Sequence, residues 1–191
     1  MNLAIVDLES TSLKSDQGFI LVGGIQPVGE RGIGKRLIGL HNTGFGPNRY
    51  QIDEKVVKAL KAEMEQYDGW ITWNGLMFDL PLLDDRLLIA GERPLEKRFA
   101  RGLDMMWHAK KGKSTLTSAR LDWVAKALRC PIKKTDLDLV MWKDAEAEAI
   151  RKFREGKRAY QYIVEHCDAD LDVTEWVYNR LKNRIQGISK R

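Results

Sequence analysis

The order of apolar runs in the sequence predicts an α/β fold. Three short runs of strand character lie within the first forty residues, two more alternate with helical patterns, and the last third is helical. Residues 3–7 (LAIVD) form an apolar run closed by an acid, as a buried central strand does. Residues 19–26 and 35–40 are two further strands with Gly-rich turns between them, so an antiparallel meander is expected. Asp53 reads as an N-cap with Glu54 in the first turn, and Val56, Val57, Leu60 and Met64 follow at helical spacing. Asp68-Gly69 ends that helix, and residues 70–73 (WITW) make a fourth strand. Residues 78–90 are the next helix, with Pro81 in its first turn, where proline is tolerated. A short fifth strand or strand end falls at 103–106, and residues 110–114 (KKGKS) read as an exposed loop. Leu116, Leu121, Val124, Ala125 and Leu128 mark a helix; two long helical patterns, 137–154 and 158–186, follow on either side of Gly156. No internal repeat, low-complexity tract or linker interrupts the chain, so residues 1–191 are expected to form one domain.

Composition narrows the class. At 43% hydrophobic and 31% charged residues the chain is too apolar for disorder. Its net charge of +5 is unevenly laid out: residues 95–134 hold eleven basic and three acidic side chains, a net of +8, leaving −3 on the remainder. A basic stretch on a slightly acidic body fits an anionic partner such as nucleic acid. No apolar run has the length of a membrane span, and no basic region precedes the first apolar stretch, so neither a transmembrane segment nor a signal peptide is expected. Cys130 and Cys167 have neither metal-ligand spacing nor the number for a disulfide framework, which makes a reducing cytoplasm the expected compartment. With only three histidines, a metal here would be held mostly by carboxylates, which favours Mg²⁺ or Mn²⁺.

Three clusters of acids carry possible chemistry. Asp7 and Glu9, two apart on an extended segment, point to one side, and such a pair at a buried strand end is costly unless a cation lies between them. The alternative is that Asp7 ends the strand and Glu9 faces solvent. In ITWNGLMFDLPLL a strand delivers Asn74 and Gly75 to a tight turn, and Asp79 is the one acid in an apolar neighbourhood; a plain helix-start acid is the alternative. In the last helix an apolar stripe runs through Ile163, Cys167, Leu171, Thr174, Val177 or Tyr178, and Leu181. Asp170 lies within one helical step of that stripe with His166 one turn before it, while Asp168 and Asp172 pair at i,i+4 on a wetter side. The competing reading is an acidic face in solvent.

Together, VDLESTSL, WNGLMFDLPLL and HCDADLDVT resemble, in order, the three exonuclease motifs of the DEDD superfamily of 3′–5′ exonucleases. The match is nearest to stand-alone domains related to the proofreading exonuclease of family B DNA polymerases, and it covers nearly the whole chain. The resemblance implies a ribonuclease H-like fold: a central mixed sheet of about five strands, an antiparallel meander plus parallel strands, flanked by helices. It implies hydrolysis at the 3′ end of DNA, preferably single-stranded, with two divalent ions, Mg²⁺ or Mn²⁺, about 4 Å apart. The four acids would be Asp7, bridging both ions, Glu9 and Asp170, completing the ion that activates water, and Asp79, holding the site through metal-bound water. The fifth position departs from the pattern. One subclass has Tyr four residues before the last Asp and the other has His five before it, whereas His166 stands four before Asp170. His166 is read as orienting or deprotonating the attacking water, for which its near-neutral pKa suits it.

Substrate contacts follow more loosely. Ser10, Thr11, Ser12 and Leu13 stand where the superfamily uses backbone amides and an apolar wedge, with Ser12 replacing the usual Gly; Asn74 and Phe78 match positions that meet the cut strand. Lys110, Lys111 and Lys113, with Arg120, are candidates for a basic groove, or else a solvated loop. Asp104 reads as structural support, and the six tryptophans lie mostly at core-compatible spacings. An exoribonuclease, a structure-specific endonuclease of the same fold and an inactive nucleic-acid-binding module remain as alternatives. A proofreading role would need a separate polymerase or other replication or repair partner.

Overall fold

The computed structural model describes residues 2–29, 34–96, 102–110, 117–136 and 138–184. Strands β1 (Leu3–Ser10), β2 (Ile20–Pro27) and β3 (Arg36–Gly39) form the meander. After a short helix α1 (Leu40–Thr43), helix α2 (Glu54–Met64) crosses to β4 (Gly69–Thr72), and α3 (Asp79–Ile89) crosses to β5 (Gly102–Asp104). β4 pairs parallel to β1 and β5 parallel to β4, giving one five-stranded mixed sheet ordered β3-β2-β1-β4-β5. The parallel neighbours need crossovers, which these two helices supply. Helices α4 (Met105–Lys110), α5 (Leu121–Ala127), α6 (Leu139–Ile150) and α7 (Arg158–Leu181) complete the chain, with α7 laid across β1 and β2. Among the described residues no helix is long and apolar enough to cross a membrane.

The centre of the sheet is dry. Ala4, Ile5 and Val6 of β1 and Ile20, Leu21 and Val22 of β2 are almost wholly buried, sealed on one side by Val56, Val57 and Leu60 of α2. Gly24 decides how closely α7 approaches. A Cβ there would come within 2.5 Å of the Leu171 side chain and 3.0 Å of Cys167 Sγ. Gly24 is also paired in register with Asp7, so the glycine lets α7 settle directly behind the first acid.

Several boundaries differ from the sequence reading, each for a physical reason. β1 runs on past residue 7 because Leu8 and Glu9 still ladder with Gly23 and Val22 after the apolar run has ended. α4 was not expected. It follows β5 directly, and Asp104 Oδ1 accepts hydrogen bonds from the amides of Met106 (2.9 Å) and Trp107 (3.2 Å), capping it. The helix expected from Leu116 starts at Leu121, residue 116 lying outside the described residues; α6 starts at Leu139, where Asp138 Oδ1 takes the amides of Val140 and Met141. α7 ends at Leu181 in a 3₁₀ turn, and residues 185 and 186 of the expected helix are outside the described set. Asp53 precedes α2 but does not cap it with its side chain. That buried carboxylate instead accepts from the Ile20 amide and pairs with the buried Arg86 guanidinium, which also reaches the carbonyls of Ser15 and Tyr50. Two tryptophans break the core expectation, since Trp107 is 60% and Trp123 55% exposed.

Candidate active site

Because β1, β4 and β5 run parallel, their C-terminal ends meet at one edge of the sheet, and the acids collect there. Asp7 and Glu9 project to the same side of β1, both half-buried. Beyond β4 the chain turns sharply: Asn74 sits in the left-handed region (φ 66°), its amide donating to Asp104 Oδ1 at 3.0 Å. A Cβ on Gly75 would lie 2.4 Å from Thr72 Cβ, so only glycine fits this turn. The Gly75 carbonyl then accepts the Leu80 amide at 2.9 Å, and α3 opens with Asp79. Asp79 Oδ1 accepts from the Leu8 amide at 3.1 Å, a bond that ties the start of α3 to β1 between Asp7 and Glu9. From the other side α7 supplies buried His166 and Asp170 on the stripe next to Cys167, whose Sγ lies 3.8 Å from the Asp7 carbonyl oxygen. Asp168 and Asp172, on the wetter side of α7, share Lys35 at 2.9 and 2.7 Å.

The electrostatics show the strain of this gathering. Burial, then Asp170 and Asp79, push the Asp7 carboxyl well above its ordinary range, against which Lys134 pulls. Burial and then Asp7 do the same to Glu9. Asp79 is raised to about 7, mainly by burial, with the Leu8 amide opposing. Burial lowers His166, so its imidazole is neutral at pH 7. His166 Nε2 lies 3.9 Å from Glu9 Oε1 and 3.8 Å from Asp170 Oδ2, too far for hydrogen bonds. Its Nδ1 is 2.6 Å from Thr135 Oγ1, and the ring stands edge-on to Trp142 with centroids 5.0 Å apart.

Two oxygens, Asp7 Oδ2 and Asp170 Oδ1, are buried without a hydrogen-bond partner. Orphaned carboxyl oxygens are costly in a folded protein and call for an explanation. Among the described residues, Glu9, His166 and Asp170 place ligand atoms within 4.8 Å of one another, close enough to share one ion, while Asp7 and Asp79 stand outside that trio. Hard carboxylate oxygens around a concentration of negative charge suit Mg²⁺ or Mn²⁺. The donor set fits divalent ions.

The acids Asp7 and Asp170 open onto a cavity of about 800 Å³, lined also by His166, Asn74, Trp73, Arg120, Lys134 and Thr135. The other sequence-derived candidates divide. Asn74 lines this cavity, whereas Leu13 and Phe78 line a smaller one of about 300 Å³ together with exposed Met77. Ser10, Thr11 and Ser12 use their hydroxyls within their own loop: Ser10 Oγ donates to the Ser12 carbonyl, Thr11 Oγ1 accepts from Phe19 and Ser12 Oγ from Lys14. Lys110 ends α4, and Lys111 and Lys113 lie outside the described residues. The sequence reading missed Lys134 and Thr135. Lys134 Nζ sits 2.5 Å from Asp170 Oδ2, and Thr135 orients His166. Both lie on the α5–α6 connection, and the only sequence signal was the basic excess around Lys134.

A mixed sheet with an antiparallel meander, parallel β4 and β5, and acids gathered where β1 and β4 end has counterparts among known proteins. A model of the RNase H superfamily matches residues 4–182. Among solved structures, the family B DNA polymerase from the hyperthermophilic archaeon Pyrobaculum calidifontis aligns with 97% of this chain at a TM-score of 0.56 and 14% identity. That likeness is one of fold, and this chain spans only 29% of the polymerase chain. No curated protein sequence matches. With the family model spanning nearly all of the described sheet and helices, the chain belongs to the RNase H superfamily.

Proposed function

We propose that this chain is a metal-dependent 3′–5′ exonuclease that removes nucleotides from the 3′ end of DNA, preferably single-stranded. One observation carries the reading: Asp7, Glu9, Asp79 and Asp170 lie close enough to act on one another electrostatically, Asp7 and Asp170 line an open cavity, and each of these two has a buried oxygen without a partner. Asp7, Glu9 and Asp170, with Asp79 behind them, would hold two divalent ions. When bound, such ions lower the pKa of a water and neutralise the charge that builds on the phosphate.

The chain's own side chains do the remaining work. Asp79, anchored by the Leu8 amide, fixes the start of α3 against β1 and sets the spacing of the acids. With Nδ1 hydrogen-bonded to Thr135 Oγ1, His166 turns Nε2 toward Glu9 and Asp170; in the tautomer that carries its proton on Nδ1, Nε2 is the free base. From there it orients the attacking water and accepts its proton. Asn74 lines the cavity on the β4 side, and Arg120 and Lys134 give it positive charge for a phosphodiester strand. Leu13 and Phe78, which line the second cavity with Met77, would meet the terminal nucleotide. A polymerase or other replication or repair protein would be a separate partner.

Oligonucleotides labelled at either end, incubated with Mg²⁺ or Mn²⁺, should shorten from the 3′ end, and EDTA or Asp7→Ala should abolish the ladder. Persisting activity in the Asp7→Ala protein overturns the assignment. Circular single-stranded DNA should survive, and its cleavage would identify an endonuclease instead. A faster ladder on RNA would reassign the substrate.

A further inference from the structure

Beyond lending the cavity positive charge, Lys134 reaches into the centre of the site. Its ammonium lies 2.5 Å from Asp170 Oδ2. That same oxygen is 3.8 Å from His166 Nε2, which in turn faces Glu9 Oε1 at 3.9 Å. The Asp170 oxygen that faces His166 is therefore already held by a cation from the chain itself, and Asp170 is one of the three residues, with Glu9 and His166, whose ligand atoms come close enough to share an ion. Lys134 also acts electrostatically on both Asp7 and Glu9, in the sense that favours their charged forms. The second basic side chain lining the cavity, Arg120, is instead engaged by Asp122 at 3.0 Å and stands largely in solvent.

The geometry points to Lys134 as the resident counter-cation of the metal-free site, its ammonium leaving Asp170 Oδ2 when a divalent ion enters. This rests on the reading of the acids as metal ligands. A divalent ion taken up by Asp170, at about 2.1 Å from a carboxylate oxygen, would stand within a few ångströms of the ammonium on Oδ2, so the two positive charges compete for the same carboxylate. Ion uptake is thus an exchange. Without metal, Lys134 offsets part of the repulsion among four carboxylates; with the ions bound, that repulsion is gone and the ammonium is surplus. Its side chain, one quarter exposed, already borders the cavity into which it can swing.

The test is calorimetric titration of the chelator-treated full chain with Mn²⁺ alone, paired with thermal unfolding in EDTA and in Mn²⁺. Lys134→Met removes both a competitor and a repelling charge a few ångströms from the ion, so it should tighten Mn²⁺ binding on the order of tenfold. In EDTA the variant should unfold at a lower temperature than wild type, and Mn²⁺ should raise that temperature by more. Lys134→Arg, which keeps the charge, should bind no more tightly than wild type. Should Lys134→Met fail to fold even with Mn²⁺, Lys134→Gln carries the same titration. Mn²⁺ binding by the neutral variant that equals wild type or is weaker overturns the exchange and makes Lys134 a support for Asp170. Wild-type binding that survives Asp170→Asn is a different failure: it removes the metal-ligand reading, and the inference falls with it.

Discussion

The two sides of the cavity are built in different ways. The floor comes from β1, the turn after β4 and α7, where backbone pairing and close packing hold each acid. The wall comes from the α4–α5 region and the connection to α6, where Arg120, Lys134 and Thr135 sit on irregular backbone and two tryptophans face outward. Chemistry that depends on sub-ångström spacing belongs on rigid elements, while a surface that tracks a flexible polyanion can be looser. Floor substitutions should therefore cost both fold and activity, and substitutions of wall residues that do not reach the floor, such as Arg120, binding alone; Lys134 and Thr135, which touch Asp170 and His166, fall between.

The largest effect is expected at Gly24. A valine there drives into Leu171 and Cys167 and must push α7 off the sheet, carrying Asp170 away from Asp7. Overpacking of this kind costs roughly 1–3 kcal/mol, or more where backbone must shift. Thermal unfolding should show that loss, and cleavage of labelled oligonucleotides should fall far more steeply than stability. A Gly24→Val protein with wild-type activity would break the claim that α7's approach sets the site.

Next is the pH dependence of the floor without metal. Asp7, Glu9 and Asp79 are all raised above their unfolded values, Asp79 to about 7. A carboxyl that holds its proton more tightly when folded gives a native state that binds more protons than the unfolded one, so stability falls as pH rises. For Asp79 the fall begins near the unfolded value of about 4 and is complete once pH passes about 7, a loss on the order of a few kcal/mol. Unfolding temperature in EDTA should therefore drop from pH 5 to pH 8, and Asp79→Asn should flatten the slope. A flat or rising wild-type profile would mean that the acids are not buried together.

The same division governs what could be read from the sequence. The floor was legible because strands and acids share short spacings: Asp7 and Glu9 on one strand, Asn74 and Asp79 across one turn, His166 and Asp170 on one helical face. All five strands were found for a related reason, since each is an apolar run between turn residues. Lys134 escaped because its partner is 36 positions away, and no local pattern encodes a contact made by a loop folding back. α4 escaped because six residues are too few to show a helical period. Asp53 carried every local mark of a cap, yet its buried partner Arg86 is 33 positions distant and outweighed the local choice.

Thr135 joins wall to floor, and its effect should be intermediate. Thr135→Val keeps the shape but leaves His166 Nδ1 without its 2.6 Å partner, freeing the ring to change tautomer. Turnover should drop about tenfold, as for other groups that orient a reacting histidine, while stability changes by about 1 kcal/mol. Single-turnover rates across pH would separate the cases, because a purely structural role would leave the acidic limb of the profile unmoved.

The smallest effect belongs to Arg120, and it tests whether the wall meets a polyanion. The side chain is 70% exposed, and its ion pair with Asp122, itself 41% exposed, lies in water, where such pairs contribute little. Arg120→Gln should accordingly leave unfolding within about 0.5 kcal/mol of wild type. If Arg120 contacts one phosphate of a bound single strand, binding should weaken modestly and evenly across sequences. The slope of log affinity against log salt should then shrink by about 0.7, the contribution of one phosphate contact. Measuring that slope with the catalytically blocked Asp7→Ala chain keeps the strand intact during titration. An unchanged slope would take Arg120 off the strand's path and leave Lys134 as the wall's contribution to the site.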